Sequence, residues 1–325
     1  MTLPATVAVD VGGTKIRAGS VIDGRLAHVR SVPTPATSGA QAVLDTIAEV
    51  TAAVVAEASG SHGGESAWRI GIGAAGVIDP ATGTVVSATD SLPGWAGTDL
   101  VTELSVRSGL PVRVVNDVHA HALGEAAAGA SRGTRNSLLV AAGTGIGGGF
   151  ITDGHLLTGR NSAAGHVGHV PSAAASGLAC PCGGTGHVEA IASGPAILNT
   201  YRRLVDASDS PTSTPVAAPV PANTRELAAA ASAGDALAVR AFDIGARALG
   251  SALGGIANVL SPEAIVVGGG LAEMDETWWA PLREAFAAEL IPATSGTQLV
   301  KAELGQDAAL IGAASLWNAE QRETR

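Results

Sequence analysis

Thr6-Val7-Ala8-Val9-Asp10-Val11-Gly12-Gly13-Thr14-Lys15, continued by Ile16 to Ile22 and closed by Asp23-Gly24, is the stretch on which the fold turns. An apolar strand pattern is interrupted by a glycine pair, resumes, and ends in an Asp-Gly pair suited to a tight hairpin. The reading is strand, glycine turn, strand, hairpin turn. A second copy begins at Ser137: Leu138 to Ala142, then Gly143-Thr144-Gly145-Ile146-Gly147, then Gly148 to Thr152 and Asp153-Gly154. The copies align with Asp10 against Ala141, and the second turn is one residue shorter. Such an internal repeat predicts two related domains. A third strand-to-glycine step, Ala264 to Val267 followed by Gly268-Gly269-Gly270, comes late in the chain.

Helical patterns lie between these strands. Gln41 to Ala58 is alanine-rich and spaces Val43, Leu44, Ile47, Val50, Val54 and Val55 for one buried face. Asp235 to Leu260 does the same with Leu237, Phe242, Leu249, Leu253, Ile256 and Leu260. Asp206 to Asn223, rich in Ser, Pro, Thr and Ala without periodicity, reads as a mobile surface excursion. Strands alternating with helices give the α/β class.

The 325 residues suffice for two domains at about 100–200 residues each. With 46% hydrophobic residues, both can bury a core. No apolar run approaches the roughly 20 residues needed to cross a bilayer, so no membrane partner is expected. A net charge of −10 argues against nucleic acid, whose phosphates call for a basic surface. The only cysteines, Cys180 and Cys182, are too close for a structural disulfide, which makes a reducing cytoplasm the expectation.

Those cysteines sit in Cys180-Pro181-Cys182-Gly183-Gly184-Thr185-Gly186-His187-Val188-Glu189, shortly after Ala164-Gly165-His166-Val167-Gly168-His169. Two thiolates and two imidazoles at short spacing are what a tetrahedral Zn²⁺ requires, and His169 and His187 are the best-placed partners for the thiolates. Two incidental buried thiols are the plainer alternative. Each glycine turn can aim backbone N–H groups at phosphate oxygens, with Thr14 and Thr144 adding hydroxyls. Each also reads as an ordinary tight turn, although the matched pair favours the phosphate reading. Neither is a Walker A loop, and the second lies between strands rather than opening a helix as a dinucleotide fingerprint does. Asn116-Asp117 ends an apolar strand before an alanine-rich helix. Asp117 reads either as a helix N-cap or as a general base for a sugar hydroxyl. Asp10 reads as a group behind Mg²⁺ or as a partner for turn amides, and Asn116 as a ligand that donates to and accepts from a sugar hydroxyl. His121 reads as an ordinary helix-face residue.

Taken together, these motifs resemble the ROK family of sugar kinases over essentially the whole chain. The resemblance is carried by Asp10 to Lys15, Gly71-Ile72-Gly73-Ala74-Ala75-Gly76-Val77-Ile78-Asp79, Asn116-Asp117, Gly143 to Gly149, the His-Cys-x-Cys segment, Glu189 to Gly194, and Gly268 to Gly270. It implies a duplicated, ribonuclease H-like actin-like ATPase fold with two α/β domains around a cleft where ATP and sugar meet. The implied boundaries are a smaller domain over 1–117, a larger domain with the zinc loop over 118–306, and a last helix about 307–325 folding back on the first. Asp117 then corresponds to the catalytic base. Gly76, Asn116, His166, His169 and Glu189 line the sugar side. Asp10, Gly12, Gly13, Thr14, Lys15, Thr144 and Gly145 serve the phosphates, and Gly269 and Gly270 the adenosine. A homodimer is the implied assembly.

This chain departs from the family pattern at two ligands. His187 stands where the family usually has a third zinc-binding cysteine, and His166 where it usually has a sugar-binding glutamate. His166, the Cys-x-Cys segment and Val188-Glu189-Ala190-Ile191-Ala192-Ser193-Gly194 resemble bacterial N-acetylmannosamine kinases more than glucokinases. A neutral imidazole offers one donor and one acceptor, which suits an acetamido group better than a carboxylate does. The alternative is that His166 merely tolerates the same hydroxyls. The absence of an Asn before Leu92-Pro93-Gly94-Trp95, in Thr89-Asp90-Ser91, points away from glucokinase too. A sugar-responsive DNA-binding regulator is the rival class, and the phosphate motif starting at Asp10 leaves such a protein's helix-turn-helix no room.

Overall fold

The computed structural model describes residues 5–62, 67–88, 92–208 and 221–318. The predicted strand–turn–strand segments form β1 (Ala5–Val11), β2 (Lys15–Ile22) and β3 (Arg25–Pro33), followed by α1 (Ala40–His62) and β4 (Trp68–Ala74). A small ribbon of β5 (Val77–Asp79) and β6 (Thr84–Ser87) precedes α2 (Leu100–Ser108), β7 (Val112–Asn116) and α3 (Asp117–Ala128). The second copy supplies β8 (Ser137–Ala142), β9 (Ile146–Thr152) and β10 (His155–Leu157). Then come α4 (Glu189–Ala192), α5 (Gly194–Ser208), α6 (Thr224–Ser232), α7 (Ala236–Leu260), β11 (Ala264–Gly268), α8 (Glu276–Glu289), β12 (Gln298–Lys301) and α9 (Asp307–Ser315).

The strand orders bear the repeat out. One sheet runs β3-β2-β1-β4-β7 and the other β10-β9-β8-β11-β12. In each, the hairpin strands are antiparallel and the later strands parallel: β1 with β4, β4 with β7, β8 with β11, β11 with β12. Both Asp-Gly pairs make hairpin turns through the left-handed region, Asp23 and Gly24 at φ 51° and 74°, Asp153 and Gly154 at 50° and 80°.

Contacts divide the chain into two compact units, Met1–Arg135 with Gly149–Gly165 and Glu303–Arg325, and Asn136–Gly148 with His166–Ala302. In the first, Val7, Val9, Val11, Ile70 and Ile72 pack against Val43, Leu44 and Ile47 of α1. Burying each such side chain contributes about 1.5–3 kcal/mol. The opposite face is built for backbone approach: Cβ atoms at Gly71 and Gly312 would overlap the carbonyl oxygens of Ala313 and Ala120. Small residues there let α9 and α3 lie on the sheet, Ala8 contacting Leu310, Ala313 and Ala314. Past α9, the Trp317 Nε1 donates to the Ile70 carbonyl at 3.0 Å and Arg113 stacks 4.4 Å from its ring. These contacts put α3 in the first unit, whereas the sequence-based boundary falls at its start, after Asp117.

In the second unit α7 is the central helix, capped by Asp235, whose other oxygen accepts from the buried Tyr201 hydroxyl at 3.0 Å. Of the stretch read as a surface excursion, Asp206 to Ser208 complete α5 and Asn223 caps α6, while 209–220 lie outside the described residues. Thr89 to Ser91 lie outside them as well. Among the described residues no helix is long and apolar enough to cross a membrane.

Candidate active site and metal centre

Strand register brings the acidic cluster of the first unit together. Asp10 shares its sheet face with Ala8, has Arg17 opposite on β2, and has Gly73 beside it on β4. A Cβ at Gly73 would come 2.7 Å from the Ala120 methyl and 3.5 Å from Asp117 Cα, so glycine lets the start of α3 settle beside Asp10. Burial, reinforced by Asp117 and opposed by Arg17 and Lys15, raises the Asp10 carboxyl to about 6. A cation in front of this pair would relieve that strain, so the donor set fits Mg²⁺ held through Asp10 at one remove. Arg17 is itself held, by Asp307 at 2.7 Å and by the Gln306 carbonyl. Lys15 donates to Gln306 Oε1 at 2.7 Å.

The N-cap of α3 is Asn116 rather than Asp117. Asn116 Oδ1 accepts from the backbone of Val118 and His119 at 2.9 and 3.1 Å. Its Nδ2 donates to the Gly76 carbonyl and to Asp117 Oδ1, both at 2.8 Å. Two amide protons and two lone pairs are thereby used, so in this conformation Asn116 spends its capacity on capping α3, on Gly76 and on Asp117. Gly76, at φ 108° and with Ser87 O 2.7 Å from any Cβ, presents that carbonyl from a backbone only glycine adopts easily. Asp117 Oδ1 also accepts from Val118 N at 2.9 Å, which leaves Oδ2 as the oxygen clear of these bonds.

The glycine turns differ in detail. In the first, Gly12 N donates to Lys15 O at 3.0 Å and Gly12 O accepts from the Thr34 hydroxyl at 2.7 Å, with Gly13 between and Thr14 exposed. In the second, Gly143 N donates to Gly145 O at 3.0 Å, and Gly143 O accepts from Gly194 N, the first residue of α5, at 2.8 Å. Glu189 closes this turn, its Oε2 accepting from Ile146 N at 2.7 Å and lying 2.8 Å from where a Gly145 Cβ would be. Beside it runs a groove of about 670 Å³ lined by Gly143, Thr144, Gly194, Thr224, Arg225 and Gly270 among others. Gly269, at φ 87°, brings its backbone against Ala142 at the groove's edge. Glycine backbone, helix N-termini and Arg225 make a setting for a nucleotide's phosphates.

Four sequence-predicted metal ligands come together in the second unit. Donor atoms of His169, Cys180, Cys182 and His187 all lie within 4.8 Å of one another. Cys180 Sγ is 3.7 Å from His169 Nδ1, and Cys182 Sγ 3.2 Å from His187 Nδ1. Tetrahedral bonds of about 2.0–2.3 Å separate neighbouring donors by about 3.3–3.8 Å, so the set fits Zn²⁺. A short turn, Cys180 N to Gly184 O at 2.8 Å, presents the thiols. Bridges pairing Ala179 with Thr185 and Pro171 with His187 bring the imidazoles alongside. Without a cation, burial pushes the Cys180 thiol up, with Cys182 and Glu189 adding to it. His166 is exposed, its ring 6.0 Å from that of His169 and 25° from parallel, so it stands just outside the cage.

Two residues near these groups, Glu125 and Arg17, escaped the sequence reading, and a third, His121, was read there as an ordinary helix-face residue. Glu125 is fully buried, accepting from Ala130, Glu303 and Leu304 backbone N–H groups at 2.7, 3.2 and 2.9 Å. Arg17 and His121 belong to the Asp117 neighbourhood. The spacing Asp117, His121, Glu125 along one helix was the available signal.

The ROK family model matches residues 6–320. A glucokinase from Thermotoga maritima is 36% identical over 313 residues, covering 95% of this chain and 96% of its own length. An N-acetylmannosamine kinase from Citrobacter koseri is 32% identical over 313 residues, covering 96% and 98%. The crystal structure of a ROK family glucokinase from Streptomyces griseus, in complex with glucose and AMPPNP, superposes with a TM-score of 0.75 at 34% identity, covering 96% of this chain and 98% of that one. The fold is that of these kinases, the duplicated actin-like ATPase fold. The chain therefore belongs to the ROK family, and its place is among the family's sugar kinases.

Proposed function

We propose that the protein transfers the γ-phosphoryl group of ATP to the 6-hydroxyl of N-acetylmannosamine. Asp117 Oδ2 takes the hydroxyl proton as the oxygen attacks phosphorus in line with the leaving ADP. Asn116, set by the Gly76 carbonyl, keeps Oδ1 occupied and so fixes which oxygen acts. Gly12, Gly13, Thr14, Thr144 and Gly145 offer donors to the phosphates, with Lys15 nearby, while Gly269 and Gly270 flank the adenosine. Mg²⁺, when bound in front of Asp10, neutralises phosphate charge. Zn²⁺ held by His169, Cys180, Cys182 and His187 stiffens the loop that presents His166, and Glu189 ties that loop to the second turn. We read the assembly as a homodimer; an apolar groove of about 970 Å³ along α7, with Ile256, Val259 and Leu260, supports a partner surface there.

His166 carries the choice of sugar. An imidazole in place of a carboxylate loses an acceptor for two neighbouring hydroxyls and gains a donor for an acetamido carbonyl. Glucose is the second reading, favoured by the overall identity to glucokinases, 36% against 32%. ADP release on N-acetylmannosamine, N-acetylglucosamine and glucose tests both. The expected result is kcat/KM at least about tenfold higher for N-acetylmannosamine than for glucose. A glucose preference overturns the acetamido reading, and no ADP release on any sugar overturns the kinase reading.

A further inference from the structure

His121 has a setting that the proposed reaction leaves unused. It lies one helical turn after Asp117 and one before Glu125, so the three side chains form a single stripe on α3. The imidazole is half-buried and makes no hydrogen bond to another described residue. Charged groups face it from two elements: Asp117 and Glu125 on its own helix, and Arg17 on β2. Arg17 is committed to Asp307, with Asp10 opposite it on β1. Glu125 is committed to backbone N–H groups. Burial holds the imidazole below its ordinary value, against the pull of Asp117 and Glu125. Near neutral pH it is therefore an uncharged, unpartnered base beside the carboxylate that takes the substrate's proton.

Each turnover leaves that carboxylate protonated. We infer that His121 accepts this proton and passes it to solvent, resetting Asp117 for the next substrate. The inference rests on Asp117 being the base. In the first step the sugar O–H bond breaks and its proton goes to Asp117. Meanwhile the oxygen bonds to the γ-phosphorus of ATP as the bond to the bridging oxygen breaks and ADP leaves with that electron pair. In the second, the Asp117 carboxyl loses the proton, through a water across one helical turn, to the neutral imidazole. In the third, the imidazolium returns it to bulk water, so the relay itself consumes nothing beyond the ATP and sugar of the reaction. The imidazole stands one helical turn from the carboxylate and has no hydrogen-bond partner among the described residues to compete for the proton. Burial, which holds it below its ordinary value, eases the third step. His121 thus acts through Asp117 and is a positioning residue, not a catalytic one.

The wild-type enzyme is assayed first, so loss of the parent reading is recognised as no sugar phosphorylation at all, and the inference falls with it. His121→Ala should lower kcat about tenfold, less than the hundredfold or more that removing a direct base costs, with KM for sugar and ATP within about twofold. Added imidazole should restore much of the lost kcat to His121→Ala and do nothing for wild type. His121→Gln, similar in size but unable to take up a proton, should show the loss without rescue. Wild-type kcat in His121→Gln overturns the inference, as does a His121→Ala defect that imidazole leaves untouched.

Discussion

The two copies of the strand–glycine turn–strand unit share strand order and hairpin turns but not chemistry. At the end of β1 stands Asp10, crowded by Asp117 and faced by Arg17. At the matching place on β8 stands Ala141, and the second turn borrows its carboxylate from Glu189, 43 residues along the chain. The first copy grows its charge on its own strands, and the second imports charge on a loop gathered by four metal-type ligands. The two scaffolds share topology and differ in charge: a strained acidic pair on the first, a single carboxylate accepting a backbone N–H on the second. The proposed function assigns the hydroxyl and the cation to the former and the phosphates to the latter.

The largest effect is expected where the second copy's loop is released. If the proposed Zn²⁺ is held there, Cys180→Ala, or its removal by a chelator, takes away a cross-link whose binding energy is folding energy. Sugar turnover should fall at least about a hundredfold, with loss of bound zinc by metal analysis. Full activity in zinc-free protein would show that the loop holds itself.

Asp10→Asn makes the first copy resemble the second, and it should act in opposite directions on activity and stability. Turnover should fall by about tenfold to a hundredfold as the support behind Mg²⁺ is lost. The unliganded fold should gain stability. Asp10 binds its proton more tightly folded, at about 6, than at its ordinary 3.8, so its contribution is full below about 4 and lost as pH rises through 6. At pH 7 the substitution should therefore stabilise by about 1–3 kcal/mol in denaturant unfolding, a gain that shrinks towards pH 4. A pH-independent difference would mean that Asp10 is not strained.

What the sequence disclosed follows from the range of the forces involved. The glycine turns, the hairpins, the repeat and the four metal-type ligands were legible because each is written in local spacing. Asp117 was misread as a possible cap because only φ and ψ at Asn116, −61° and 149°, separate cap from first helical residue. Glu125 drew no reading from the sequence, since two of the backbone groups it serves lie 178 and 179 residues away. Asn116 read as a free amide for sugar, and its engagement with Gly76 depends on a turn elsewhere in the sheet. Long-range pairing of this kind leaves no periodic trace.

His166→Glu, assayed with N-acetylmannosamine and glucose side by side, tests the central claim most directly. Restoring the carboxylate should move the ratio of the two kcat/KM values towards glucose by at least about tenfold, with the enzyme still active. An unchanged ratio in an active variant would contradict the assignment of sugar choice to this imidazole.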